Sequence, residues 1–193
     1  AVASATVIVT RPGDTHKGLE SLDKIWRAMC DAGCNRQSLV INLGGGVITD
    51  MGAFAAATFK RGVRFINVPT TLLSAVDAAI GGKTGVNFNG LKNEIGLFRE
   101  ADTVIISTTF FNTLNDVELL SGYAEMIKHG LISSKEEYDR LLAFDVTSHD
   151  PDRLLELLKE SVSVKCRIVE QDPTEQGLRR ALNFGHTAGH AFE

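Results

Sequence analysis

The sequence predicts a parallel α/β sheet that gives way to an all-α half, and three observations carry that expectation. The run Leu39-Val40-Ile41-Asn42-Leu43 is too short for a helix and stops at Gly44-Gly45-Gly46, after which a small-residue helical pattern begins. That order reads as a buried strand, a tight turn and a helix N-terminus. Strand-like and helix-like segments then alternate at intervals that suit parallel pairing through crossovers. After about residue 110 no strand pattern remains, so the chain divides into 1–110 and 111–193, an arrangement that suits a two-domain enzyme.

Taken in order, residues 6–9 (Thr-Val-Ile-Val) read as a short strand and Arg11-Pro12-Gly13-Asp14 as a turn. Leu19, Leu22, Ile25, Trp26 and Met29 recur at helical spacing, and Gly33 closes that helix. The strand 39–43 follows, then a helix carrying Met51, Ala53, Ala55, Ala56 and Ala57 toward Lys60-Arg61-Gly62. Residues 63–68 alternate as a strand ending at Pro69, and Thr70-Thr71 can cap a short helix through Ala79. Residues 81–93 are polar and Gly-rich and read as a loop, and residues 103–107 as a strand. Helices are expected over 117–131, 135–144, 152–169 and from Leu178 onward, with Pro151 near one helix start and Pro173 in a loop. The chain opens on a strand-like segment and stops inside a helical pattern at Glu193, which reads as a piece of a longer protein.

The bulk properties exclude several function classes. At 193 residues, 44% apolar and 23% charged, the chain has ample material for a core. A net charge of −4 gives no reason to expect nucleic acid or an anionic membrane as partner, so an anionic ligand needs a locally basic site. No apolar run approaches the ~18 residues of a membrane span. Residues 1–4 lack the basic and apolar regions of a signal peptide. Cys30, Cys34 and Cys166 are a sparse, odd set that fits a reducing cytoplasm and ordinary thiols.

The candidate chemistry starts at the glycine turn. Glycines let the backbone approach a bound group, and a helix N-terminus favours phosphate. The spacing is not G-x-G-x-x-G, so a ligand-free turn remains an alternative. Gly81-Gly82-Lys83-Thr84 resembles half a P-loop, but Asp77 stands where the first Gly belongs and no strand leads in, which argues against a nucleotide triphosphatase. Lys83, Lys92, Lys128, Lys165, Arg61 and Arg179 are each, singly, solvated charges; together they could converge on a polyanion. Glu125 lies on a helical segment, and His186 and His190 are four apart, so they share one helix face. A distant carboxylate plus imidazoles suits Zn²⁺ with an open position, although H-E-x-x-H is absent and non-ligating histidines are the alternative. His16, His129 and His149 have no such context.

Several long stretches together resemble one family, the 3-dehydroquinate synthases. They are Gly44-Gly45-Gly46-Val47-Ile48-Thr49-Asp50, Val68-Pro69-Thr70-Thr71-Leu72-Leu73, residues 76–87, Lys92-Asn93, Ala124-Glu125-Met126-Ile127-Lys128 and residues 182–191. The resemblance implies a Rossmann-like N-terminal domain carrying NAD and a helical C-terminal domain carrying a divalent metal, zinc or cobalt. It implies that Gly45, Gly46, Val47, Ile48, Thr49 and Asp50 meet the NAD pyrophosphate and that Asp14 and Lys17 face its adenosine side. Thr70, Thr71, Phe110, Phe111, Asn112 and Thr113 would line the nicotinamide side, with Lys83 and Lys92 also near the cofactor. Glu125 and His186 match two of three metal ligands, the third being a His that would follow Glu193. His190 matches an active-site His that is not a ligand. Asp77, Lys83, Lys92, Asn93, Lys128, Lys165, Arg179 and Asn183 match the set that grips substrate phosphate and carboxylate. Arg61 matches an arginine that reaches a neighbouring subunit, which implies a homodimer.

The implied reaction turns 3-deoxy-D-arabino-heptulosonate 7-phosphate into 3-dehydroquinate and phosphate, a cytoplasmic step of the shikimate route to aromatic amino acids. It proceeds by transient oxidation with NAD, β-elimination, reduction and intramolecular aldol closure. Thr49 stands where many members have Gly, Asp14 where many have Glu, and Asn115 where Pro is frequent. The alternatives are a cyclase for another sugar phosphate, a metal-dependent alcohol or glycerol dehydrogenase, and a piece inactive without its third ligand.

Overall fold

The computed structural model describes residues 5–148, 150–187 and 189. The chain forms two compact units, Ala1–Pro69 with Gly82–Ile105 and Thr70–Gly81 with Ile106–Glu193. The change of unit thus falls at 105/106, a few residues before the 110/111 division expected from the sequence. The second unit also claims the excursion Thr70–Gly81, which the sequence pattern did not signal.

In the first unit, α1 (Leu19–Asp31) buries Leu22, Ile25 and Met29, the stripe its period predicted. Strand β1 (Leu39–Gly44) pairs in parallel with β2 (Arg64–Pro69), Leu39 opposite Arg64 through Gly44 opposite Pro69. A short β5 (Thr103–Val104) pairs in parallel with β2, completing the order β1-β2-β5. Helix α2 (Gly46–Thr58) returns over this sheet. Its small residues permit a close approach: a Cβ on Gly52 would lie 2.2 Å from Asn42 Oδ1. That Asn42 donates across the sheet to Asn67 Oδ1 at 2.9 Å, so the polar pair inside β1 and β2 is satisfied although buried. Leu22, Ile25 and Met29 pack with Met51, Phe54, Phe59, Val63 and Val86.

Three expectations for this unit fail. Residues 81–93 are not a loop: β3 (Lys83–Phe88) and β4 (Leu91–Phe98) form an antiparallel hairpin. Its glycines serve strand pairing, since a Cβ on Gly85 would meet Ile95 O at 2.6 Å and one on Gly96 would meet Thr84 O at 2.2 Å. Asn89 (φ 51) and Gly90 (φ 78) make the tight connection, left-handed at both positions as a two-residue hairpin turn requires. Residues 6–9 have no strand partner among the described residues, and Val7 and Val9 are exposed. The strand expected to Ser107 ends at Val104.

In the second unit, Thr71 Oγ1 accepts from Ser74 N at 3.1 Å, but the helix it opens widens into a π turn over Ser74–Ala78. Helices α3 (Asp116–Ser133), α4 (Lys135–Leu142) and α5 (Pro151–Gln171) follow. Each starts on a side-chain cap: Asn115 accepts from Glu118 N, Ser134 from Glu137 N and Asp150 from Arg153 N. Gly122 lets α3 press on the Leu72–Leu73 backbone, where a Cβ would lie 2.4 Å from Leu73 N. Leu72, Val76, Phe111, Tyr123, Met126, Leu141, Leu157 and Leu158 form its core. Leu178–Asn183 is a 3-10 helix rather than the opening of an α-helix. Among the described residues no helix is long and apolar enough to cross a membrane.

Candidate functional site

In the first unit the candidate groups gather at the N-terminus of α2. Gly44 must be glycine, because a Cβ there would lie 2.5 Å from Ile48 Cγ1. Gly45 caps the helix without a side chain, and Ile48 N and Thr49 N both bond back to Gly45 O. The first N–H groups of such a turn point out of the helix, where an anion can take them. Asp50 lies one turn on, and Lys17 Nζ reaches its Oδ2 at 2.6 Å and Asn93 Oδ1 at 2.5 Å. Lys17 is buried, so this ammonium ties the 14–17 turn, α2 and β4 together. Asn87 completes the network. Its Nδ2 donates to Asp14 Oδ2 at 3.0 Å, and its Oδ1 accepts from Asn93 N at 2.9 Å. Sequence reasoning did not single out Asn87, although an Asn between the apolar Val86 and Phe88 is the available signal. Lys83 and Lys92 lie exposed on β3 and β4, and Arg61 lies exposed in a left-handed turn (φ 66) after α2.

In the second unit, Glu125, Lys128 and His129 share one buried face of α3, as i, i+3 and i+4 must. Lys128 Nζ donates to Glu125 Oε1 and to Leu182 O, and lies 3.5 Å from His186 Nε2. Glu125 Oε2 lies 3.9 Å from His186 Nε2. His129, read from sequence as uninvolved, is fully buried with Nδ1 2.8 Å from Ser161 Oγ and Nε2 3.4 Å from Glu125 Oε1. Burial pushes the Glu125 carboxyl up, but contact with His129 and the Lys128 charge outweigh it against the added push of Asp77. The group ends below the ordinary carboxylate value.

A second ion pair lies in the same unit. Lys165, buried on α5, donates to the Asp77 carboxylate and, at 2.6 Å, to Asp77 O on the π turn. Burial raises the Asp77 carboxyl, yet the Lys165 charge and hydrogen bond prevail and bring it down to about 2. Arg179 is buried with Nη1 on Pro173 O at 2.6 Å and Nη2 on Gly81 O at 2.7 Å. Gly81 (φ 92) admits it, since a Cβ there would sit 2.7 Å from Nη2. The Asp172 carboxylate shapes the turn before Arg179 by accepting from Gln176 N, Gly177 N and Arg179 N. Those bonds hold its carboxyl below the usual value.

Asn183 is exposed and donates to Glu175 Oε1 at 2.5 Å. Thr70 and Thr71 are half-buried at the head of the π turn. Phe110, Phe111, Asn112 and Thr113 form a 3-10 helix in which the Phe111 ring is turned into the core. His190 and His149 lie outside the described residues.

The residues present fit a metal in part. Glu125 Oε2 and His186 Nε2 are spaced so that one ion could bridge them with bonds of about 2.0–2.2 Å. The Lys128 ammonium already supplies positive charge beside both groups. Among the described residues no set of three His, Cys, Asp or Glu side chains closes around one point.

Comparison with known proteins agrees with this picture. Residues 7–121 match the family model for the 3-dehydroquinate synthase N-terminal region, and residues 122–193 that for the C-terminal region. The 3-dehydroquinate synthase of Parabacteroides distasonis is 58% identical over the whole chain, which covers 55% of that protein. That of Pyrococcus furiosus is 48% identical over 96% of the chain and 55% of its own length. The chain thus spans about half the length of the curated relatives it matches. Among solved structures, ValA, the 2-epi-5-epi-valiolone synthase of Streptomyces hygroscopicus with NAD⁺ and Zn²⁺ bound, superposes with a TM-score of 0.89 at 32% identity. The match covers 95% of this chain and 52% of ValA. A 2-deoxy-scyllo-inosose synthase complexed with carbaglucose-6-phosphate, NAD⁺ and Co²⁺ follows with a TM-score of 0.82 at 26% identity, covering 94% of this chain and 51% of its own. Matched by both halves of the family model in sequence order, the chain belongs to the 3-dehydroquinate synthase family.

Proposed function

We propose that the protein containing this chain is a 3-dehydroquinate synthase, releasing phosphate from 3-deoxy-D-arabino-heptulosonate 7-phosphate as it forms the carbocycle. The observation that carries the reading is the buried α3 face, where the Glu125 carboxylate is held on one oxygen by Lys128 and turned by the other toward His186. A divalent metal held by Glu125, His186 and a third His beyond Glu193 would polarise a substrate hydroxyl, while NAD at Gly45–Asp50, Asp14 and Lys17 would take a hydride and return it. The identity to named synthases and the NAD⁺ with Zn²⁺ or Co²⁺ bound to the two solved cyclases support that pairing of groups.

The chain's own residues hold a flexible polyanion in successive poses. Lys165, Arg179 and Asn183 suit a substrate carboxylate, and Lys83, Lys92, Asn93 and Arg61 a phosphate, because fixed cations and amides stabilise these groups without transferring protons. Asp77 aims Lys165, and despite burial, contact with His129 and the Lys128 charge hold the Glu125 carboxyl below its ordinary value. His190 and the 110–113 segment, with Thr70 and Thr71, complete the site in this reading. Arg61, exposed on its left-handed turn, reaches a second subunit in a homodimer, and the protein works in the cytoplasm.

Full-length protein supplied with NAD⁺ and Zn²⁺ is expected to release phosphate from this substrate with no net accumulation of NADH. Steady accumulation of NADH would instead identify an alcohol or glycerol dehydrogenase. Glu125→Ala and His186→Ala are each expected to abolish turnover and lower metal content, and retained activity would refute their role as ligands.

A further inference from the structure

The geometry points to His129 and Ser161 as a positioning pair that fixes the Glu125 carboxylate for metal binding, a role that rests on Glu125 being a ligand as proposed above. His129 is 0% exposed and Ser161 4% exposed, so neither side chain trades its hydrogen bonds with bulk water. The imidazole bridges two helices, with Nδ1 2.8 Å from Ser161 Oγ on α5 and Nε2 3.4 Å from Glu125 Oε1 on α3. Nε2 is a buried polar atom with no well-aligned hydrogen bond, and the group it faces is the carboxylate.

An ionised carboxylate can only accept, so a neutral imidazole facing it carries its proton on Nε2. Nδ1 is then the acceptor and the Ser161 hydroxyl the donor. The two contacts share one direction, Ser161 O–H to Nδ1 and Nε2–H toward Oε1. They also divide the carboxylate. Oε1 faces Lys128 and His129, while Oε2 is the oxygen turned toward His186 at 3.9 Å. A carboxylate anchored through one oxygen offers the other in a fixed direction, which is how groups behind a ligand raise metal affinity. A space-filling histidine would have no need of Ser161 at hydrogen-bond distance inside α5.

The test uses full-length protein, competing Zn²⁺ against a chromogenic chelator and recording the visible spectrum of the Co²⁺-loaded form. His129→Leu fills similar volume without a donor and is expected to weaken Zn²⁺ binding by about 10–100-fold and to alter the Co²⁺ spectrum. His129→Gln restores an N–H donor and is expected to recover most of the affinity. A purely space-filling role predicts the reverse order, Leu at least as good as Gln, and that result overturns the proposal. If circular dichroism shows that His129→Leu does not fold, Ser161→Ala decides: weaker Zn²⁺ binding supports the pair and unchanged binding overturns it. Glu125→Ala separates the two readings. Metal retained in that variant refutes Glu125 as a ligand and this proposal with it, whereas metal lost there but unaffected by His129→Leu refutes the positioning pair alone.

Discussion

Asp77 and Lys165 show how two residues 88 apart can become partners in one ion pair. Lys165 is buried and its ammonium is satisfied by the Asp77 carboxylate and backbone carbonyl; removing the carboxylate leaves a cation without its counter-ion. Because the Asp77 carboxyl falls from 3.8 to about 2 on folding, it contributes stability that is present above 3.8 and lost as pH falls through about 2. Asp77 is more than a third exposed, so solvent screens part of this contribution. Asp77→Asn is therefore expected to lower the urea midpoint at neutral pH, with the gap to the parent protein closing over that acid window. Urea titrations at a series of pH values check this, and a gap independent of pH would refute the linkage. The sequence contained both residues as candidates, but a lysine among apolar neighbours reads equally as a surface charge. Only its burial on α5 distinguishes the two.

At the scale of elements, legibility followed side-chain period. Helix α1 shows its stripe in Leu22, Ile25 and Met29, and α5 shows its start, with Pro151 at the first position. The β3–β4 hairpin was hidden because the residues that allow its strands to pair closely, Gly85 and Gly96, have the composition of a loop. The π turn over Ser74–Ala78 was equally hidden, since nothing local distinguishes a wide turn from a regular one. The two kinds of hairpin glycine make a graded prediction. Gly96→Ala puts a Cβ 2.2 Å from Thr84 O, a backbone atom that cannot step aside, and is expected to cost about 3 kcal/mol, the upper end of what overpacking costs. Gly90→Ala meets nothing within 4 Å and bears only its left-handed backbone, about 1–2 kcal/mol. Thermal unfolding of both variants checks the order; equal losses, or a larger loss at Gly90, would mean the strands can separate to admit the methyl group.

For the whole molecule, the motifs identified the family, but spacing could not show which of its residues meet. Lys128 and His186 are 58 positions apart and come within 3.5 Å only because α3 and the segment after Leu182 pack in one unit. His129 escaped notice for the same reason, since its partner Ser161 lies 32 positions away on another helix. Convergence also sets what the 193 residues can do unaided. Glu125 and His186 supply two donors, and among the described residues no third His, Cys, Asp or Glu joins them. Catalytic zinc sites use three protein ligands. Beside these two donors, the Lys128 ammonium competes directly for Glu125 Oε1. The isolated chain is therefore expected to hold Zn²⁺ at least about tenfold more weakly than the full-length protein, the lower end of what losing even an outer-shell partner costs. It is also expected to release no phosphate from the sugar-phosphate substrate. Equilibrium dialysis of both proteins against Zn²⁺, followed by a phosphate assay, checks this. Equal affinity together with turnover would mean that residues 1–193 complete the metal shell themselves, leaving the third ligand to be sought among them.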